Sequence, residues 1–228
     1  MTRTTNARIA GTMLLLYIAV GITGMIVSGR ASRGEGIAER LASMAQHETG
    51  LRIAVVLGLF TAFVALALAV ALYAITREQD PDLAMLALTC RVGEGIFGAT
   101  WIPWSMGLLS LATVTGAEAP DATSAQALAS FVLTAESWNP IVTAIFFAVG
   151  STLFCWLLLR GRMIPVALAW LGVLASVLLV VGLPLQLAGL LRGTVAQLFW
   201  IPMAAFELVL GPWLIFKGAA LPARKLVE

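Results

Sequence analysis

The chain has 228 residues, 60% of them hydrophobic and only 11% charged, with a mean hydropathy of +0.96 and a formal net charge of +2. That balance excludes a water-soluble domain, which must coat its core with charge, and the near-neutral total without a basic run excludes nucleic acid as a partner. One histidine (His47), two cysteines with no Cys-x-x-Cys pair, and two lysines confined to the C-terminal edge (Lys217 and Lys225) argue against a transition-metal centre or a Schiff-base lysine, so no metal or cofactor is expected.

A bilayer offers the backbone no hydrogen-bond partners, so each long apolar run is expected to be a helix of about 20 residues or more. The first covers 7–28; it starts among Arg3 and Arg8 and has no short apolar core with a small-residue cleavage site, so it reads as a retained span. Ile37, Leu41 and Met44 then recur at helical spacing among charged residues, which predicts a short amphipathic helix lying on the outer membrane surface and capping the bundle. Spans two and three follow at 51–76 and 83–114, holding Cys90 among apolar neighbours. Asp121, Thr123 and Ser124 are N-cap candidates for a second outer helix through Leu128, Phe131 and Val132. Pro140 is expected to kink or separate it from span four at 140–159, which contains Cys155. Spans five and six cover 163–187 and 195–216. Residues 1–228 therefore read as one all-α integral membrane domain of six transmembrane helices, with no span broken midway by paired glycines and prolines, although Pro103 and Pro184 interrupt two of the helices.

With the N-terminus inside, eight basic residues fall on the cytoplasmic side: Arg3, Arg8, Arg77, Arg160, Arg162, Lys217, Arg224 and Lys225. Five fall outside, at Arg30, Arg33, Arg40, Arg52 and Arg192, and the loop containing Glu118 and Asp121 carries none. This bias predicts both ends in the cytoplasm.

Three charges fall inside spans rather than at their ends: Arg91, Glu94 and Glu207. Counted from the span edges, each glutamate lies about 15 Å deep at 1.5 Å per residue, and Arg91 sits three residues before Glu94 on nearly the same face. Each glutamate has a tryptophan seven residues away, Trp101 and Trp200, and each tryptophan opens a Trp-Ile-Pro triplet. Prolines at these points can widen the helix, and Gly93, Gly95 and Gly98 let a neighbour approach Glu94. Glu94 and Glu207 are thus the candidate acid–base pair of a pocket for a hydrophobic ligand. Arg91, Trp101, Trp200 and Met203 would line it, and Trp104, Glu136, Trp138 and Asn139 would stand at its mouth. The same pattern also fits a charge-paired staple between helices with interfacial tryptophan anchors.

Asn6-Ala7-Arg8-Ile9-Ala10-Gly11, Arg52 at the start of span two, and Arg91-Val92-Gly93-Glu94 in span three resemble the bacterial membrane family catalogued as domain of unknown function 4386. The resemblance implies a multi-pass protein of the bacterial inner membrane and brings no activity with it.

Three functions suit the site. A protonated carboxyl beside aromatic faces suits acid-catalysed isomerisation or cyclisation of an isoprenoid or sterol-like lipid. Intramembrane carboxylates equally suit a proton- or cation-coupled transporter, although the Glu-then-Trp order of span three and the Trp-then-Glu order of span six do not form an inverted repeat. A lipid- or partner-binding protein without chemistry is the third. The bilayer and a hydrophobic small molecule are the expected partners.

Overall fold

Apolar segments that must satisfy their own amides coil into helices, and the computed structural model describes residues 2–115 and 120–222 as nine of them, without a strand among these residues. They are α1 (Arg3–Ala31), α2 (Ile37–Gln46), α3 (Glu48–Thr76), α4 (Pro81–Ala99), α5 (Trp101–Thr113), α6 (Ala122–Arg160), α7 (Val166–Leu187), α8 (Gly193–Leu198) and α9 (Ile201–Phe216). Six segments among the described residues are long and apolar enough to cross a membrane: α1, α3, α4 with α5, α6, α7, and α8 with α9. Glu118, Arg224 and Lys225 lie outside the described residues.

The helix starts follow local chemistry. Asp80 accepts a hydrogen bond from the Leu83 amide at 3.2 Å, and Pro81, whose missing N–H costs nothing in a first turn, opens α4. Asp121 Oδ1 accepts from the amides of Thr123 (3.0 Å) and Ser124 (3.1 Å), and Oδ2 from the Ser124 hydroxyl at 2.6 Å. Those bonds, led by the Ser124 hydroxyl, hold the Asp121 carboxyl below the usual carboxylate range.

Two expectations about prolines are corrected. Residues 121–139 and 140–159 are not separate elements, because α6 runs unbroken through Pro140 for 39 residues. Proline removes one amide donor and crowds the preceding turn, but flanking residues still form the helix. Likewise Pro184, expected to interrupt a helix, stays inside α7, while spans three and six carry short turns in which the backbone remains helical. The turn of the third is at Thr100, with its amide bonded to Phe97 O at 3.1 Å, and that of the sixth at Phe199 and Trp200, with the Trp200 amide bonded to Gln197 O at 3.1 Å. Each turn falls where a Trp-Ile-Pro triplet opens the next helix, since proline suits a first turn better than an interior. The amphipathic helix expected through Ile37, Leu41 and Met44 forms as α2. It packs on α5, and Met44 joins Leu51, Leu108, Leu109 and Ala129 in a buried cluster.

The chain forms two compact units. The first comprises the described residues of Met1–Tyr17, Phe63–Ile96 and Ile141–Glu228, and the second those of Ile18–Ala62 and Phe97–Pro140. In the first, α1 and α9 meet at glycines: a Cβ at Gly11 would stand 2.5 Å from Gly211 O, and one at Gly211 would stand 2.8 Å from the Leu15 side chain. Polar contacts close one end of this unit. Arg3 pairs with Glu78 at 3.6 Å and donates to Ala219 O at 3.2 Å, Arg160 pairs with Asp80 at 3.5 Å, and the Ala220 amide bonds Met163 O at 2.9 Å. In the second, the α2–α5 cluster forms the core and Trp101 packs on Gly58.

Gly11→Val is expected to destabilise the protein by about 1–3 kcal/mol, because backbone rather than a flexible side chain occupies the space. Gly21, where a Cβ meets nothing within 4 Å, should tolerate the same change to within about 0.5 kcal/mol. Unfolding of the two variants in mixed micelles of denaturing detergent checks the contrast.

Candidate intramembrane charged site

A charge within an apolar span is stable only when other groups replace its water. In the first unit, that requirement gathers side chains from α1, α4 and α6 around Arg91 and Glu94, each with 2% of its side chain exposed. Arg91 Nη1 lies 2.9 Å from Glu94 Oε2, an ion pair within one turn of α4. The contact lacks the alignment of a hydrogen bond, so its attraction is chiefly electrostatic. Tyr17 of α1 donates its hydroxyl proton to Glu94 Oε1 at 2.8 Å, a charge-assisted bond that satisfies the other oxygen.

The guanidinium is held just as closely. Its carbon stands 4.8 Å from the Phe147 ring centroid and 5.9 Å from that of Tyr17, so two aromatic faces flank the cation. Nη1 also approaches Ser151 Oγ at 3.5 Å. Phe147 and Ser151 are one turn apart on α6, and Gly150 between them leaves room for the arginine stem. A Cβ at Gly150 would stand 2.9 Å from Arg91 Cγ and 3.1 Å from Cδ.

Glu207 of α9 is half-buried and lies within electrostatic range of both Arg91 and Glu94. It lines a partly open cavity of about 30 Å³ with Arg91, Ser151, Cys155 and Met203, walled by leucines and phenylalanines of α1, α3, α6 and α9. Residues 203, 206, 207, 210 and 214 face this space at the spacing of one helical stripe. The arrangement thus offers one carboxylate matched by an arginine and one facing a small, mostly apolar space.

The first unit therefore holds Arg91, Glu94, Glu207, Met203 and Trp200. Trp200 forms an outer aromatic layer, its ring centroid 6.0 Å from that of Phe147. Trp101, Trp104, Glu136, Trp138 and Asn139 belong to the second unit. There Glu136 accepts a 2.6 Å hydrogen bond from the Ser105 hydroxyl, Asn139 Oδ1 accepts from Thr100 Oγ1 at 3.0 Å, and Trp104 and Trp138 are exposed.

Sequence reasoning missed Tyr17, Phe147, Gly150 and Ser151. Tyr17 carried a usable signal, being one of only two tyrosines and placed midway along an apolar span where its hydroxyl needs a partner. Phe147 and Ser151 carried none, because one phenylalanine or serine in such a span looks like any other.

Six apolar spans and a charged cluster buried among helices define a multi-pass helical membrane protein. The chain belongs to the family described as Domain of unknown function (DUF4386), whose model matches residues 9–218, a stretch that includes Arg52 and Arg91-Val92-Gly93-Glu94. No curated protein and no solved structure matches it.

Tyr17→Phe keeps the ring beside Arg91 and deletes only the hydroxyl given to Glu94. It should cost about 1.5–3 kcal/mol, the range for hydrogen bonds to charged groups, in reversible unfolding from detergent micelles.

Proposed function

We propose that this protein is a small proton-coupled membrane transporter in which Glu207 binds and releases the proton and the Tyr17–Glu94–Arg91 cluster supplies a fixed, charge-balanced neighbour. The observation that carries this reading is the inequality of the two glutamates. Glu94 has Arg91 at 2.9 Å and Tyr17 at 2.8 Å, whereas Glu207 faces a small cavity beside an arginine whose charge Glu94 already matches. An extra carboxylate against hydrocarbon walls needs a positive counterpart, and a proton is one that such a space admits. The excess of basic residues on one side favours both chain ends in the cytoplasm, and the family resemblance favours the bacterial inner membrane.

A second reading has Glu207 as the acid of an isoprenoid or sterol isomerase, with Glu94 as its partner, favoured by the Trp200–Phe147 layer beside Arg91. Such a ligand needs a pocket on the order of 300–1,000 Å³, against a cavity of about 30 Å³. Met203 and its apolar neighbours would have to move aside for this chemistry, so the reading ranks second.

Infrared difference spectroscopy of the reconstituted protein through a pH titration separates these. The transporter reading predicts a protonated-carboxyl band that titrates, disappears in Glu207→Gln and persists in Glu136→Gln. A band that survives Glu207→Gln, or no titrating band, contradicts it. A discrete isoprenoid in the lipid extract of the gently purified wild type, lost in Glu207→Gln, would move the function to the second reading.

A further inference from the structure

A strained arginine closes α6. Glycines apart, Arg162 alone among the described residues holds a left-handed backbone, with φ at +49°. The hydrogen bonds around it are those that close α7. The Met163 amide bonds Leu158 O and the Arg162 amide bonds Leu159 O, each at 3.0 Å, as the Leu190 amide bonds Leu185 O at 2.9 Å and the Gly189 amide bonds Gln186 O at 3.0 Å. At α7 the left-handed position belongs to Gly189, with φ at +74°, the residue that such helix ends favour. An L side chain crowds its own backbone in that conformation, so glycine at 162 would relieve the strain. No described residue repays it. The Arg162 side chain is exposed, without a hydrogen bond or ion pair among the described residues, and the negative end of the α6 dipole is already met by Arg160 in the last turn.

The surroundings of Arg162 are basic. Met163 O accepts from the Ala220 amide at 2.9 Å, and Arg3 donates to Met163 Sδ at 3.1 Å and to Ala219 O at 3.2 Å, so the start of α1 and the ends of α6 and α9 meet here. Glu78 takes up Arg3 and Asp80 takes up Arg160. That leaves Arg77, Arg162 and Lys217, all exposed, without an ion-pair partner among the described residues, against the unpaired Asp82. One turn further along the same helices, Trp156 precedes Arg160 and Trp213 precedes Lys217, aromatic side chains at the level that lipid glycerol groups occupy when cations stand at the phosphates.

We propose that Arg162 binds the phosphate of an anionic phospholipid, with Lys217 as the second cation. The flat fork of a guanidinium grips two phosphate oxygens at once, which an ammonium does not, and this accounts for arginine at a position whose backbone selects glycine. The lipid site is independent of the Glu207 reading and requires no proton exchange.

Native mass spectrometry of the protein in non-ionic detergent, titrated with dioleoylphosphatidylglycerol or with zwitterionic dioleoylphosphatidylcholine, tests the site. The wild type should hold the anionic lipid more tightly. Arg162→Gly should weaken that binding about fivefold, the weight of one cation near a lipid surface, and Arg162→Lys should fall between the two. Arg33→Gly removes the same charge from an exposed position in the second unit and should bind as the wild type does. In lipid-free detergent Arg162→Gly should unfold at the wild-type temperature or above it, which separates lost binding from lost fold. Undiminished phosphatidylglycerol binding in Arg162→Gly, or an equal loss in Arg33→Gly, would overturn the proposal. So would unfolding of Arg162→Gly below the wild type, since the arginine would then repay its strain within the protein.

Discussion

The ion pair between Arg91 and Glu94 is the constraint around which the first unit is arranged. Two charges taken out of water lose several kcal/mol of hydration each, and their mutual attraction repays this only when the remaining donors and acceptors also find partners. The neighbours serve that end. Tyr17 satisfies the second carboxylate oxygen, Phe147 and Tyr17 give the guanidinium aromatic faces, Ser151 approaches Nη1, and Gly150 leaves space for the arginine stem. Because these groups come from α1, α4 and α6, one pair ties three helices together. It also sets the state of a fourth: with Arg91 matched by Glu94, Glu207 on α9 is the carboxyl left to face the cavity.

The six spans could be read from sequence because the bilayer imposes a length and an apolarity that few other constraints imitate. The capping aspartate of α6 could be read as well, since Asp121 followed by Thr123 and Ser124 presents a local pattern with a local consequence. What could not be read were cases in which tertiary context decides between local options. Pro140 and Pro103 carry the same steric rule, yet α6 continues through one while the other lies in the first turn of α5, just after the turn at Thr100. The amphipathic stripe of α2 was visible, but a stripe does not say whether lipid or protein covers it; here α5 does.

The site shows the same division. Arg91, Glu94 and Glu207 stand out because charges are rare inside apolar spans, and the structure gathers them in one unit. The aromatic and small residues that make burial possible are unremarkable in an apolar helix until the arginine's position is known, which is why Phe147, Gly150 and Ser151 were invisible. The tryptophans drew attention through their matched triplets, and the structure ties those triplets to the turns within spans three and six. Trp200 backs Phe147, and Trp101 lies against Gly58. A cavity with room for about two waters, rather than for a lipid, turns the functional reading from ligand chemistry toward proton exchange.

The account stands or falls on Arg91 belonging to Glu94 rather than to Glu207, and two double-mutant cycles measured by reversible unfolding test it. One combines Arg91→Met with Glu94→Leu, the other Arg91→Met with Glu207→Leu. The account predicts that Arg91→Met or Glu94→Leu alone costs about 3–5 kcal/mol and that the two together cost less than either, because the last buried charge of the pair is then gone. The coupling of Arg91 to Glu207 should be smaller. Additive effects for Arg91 with Glu94, or a stronger coupling of Arg91 to Glu207, would contradict it.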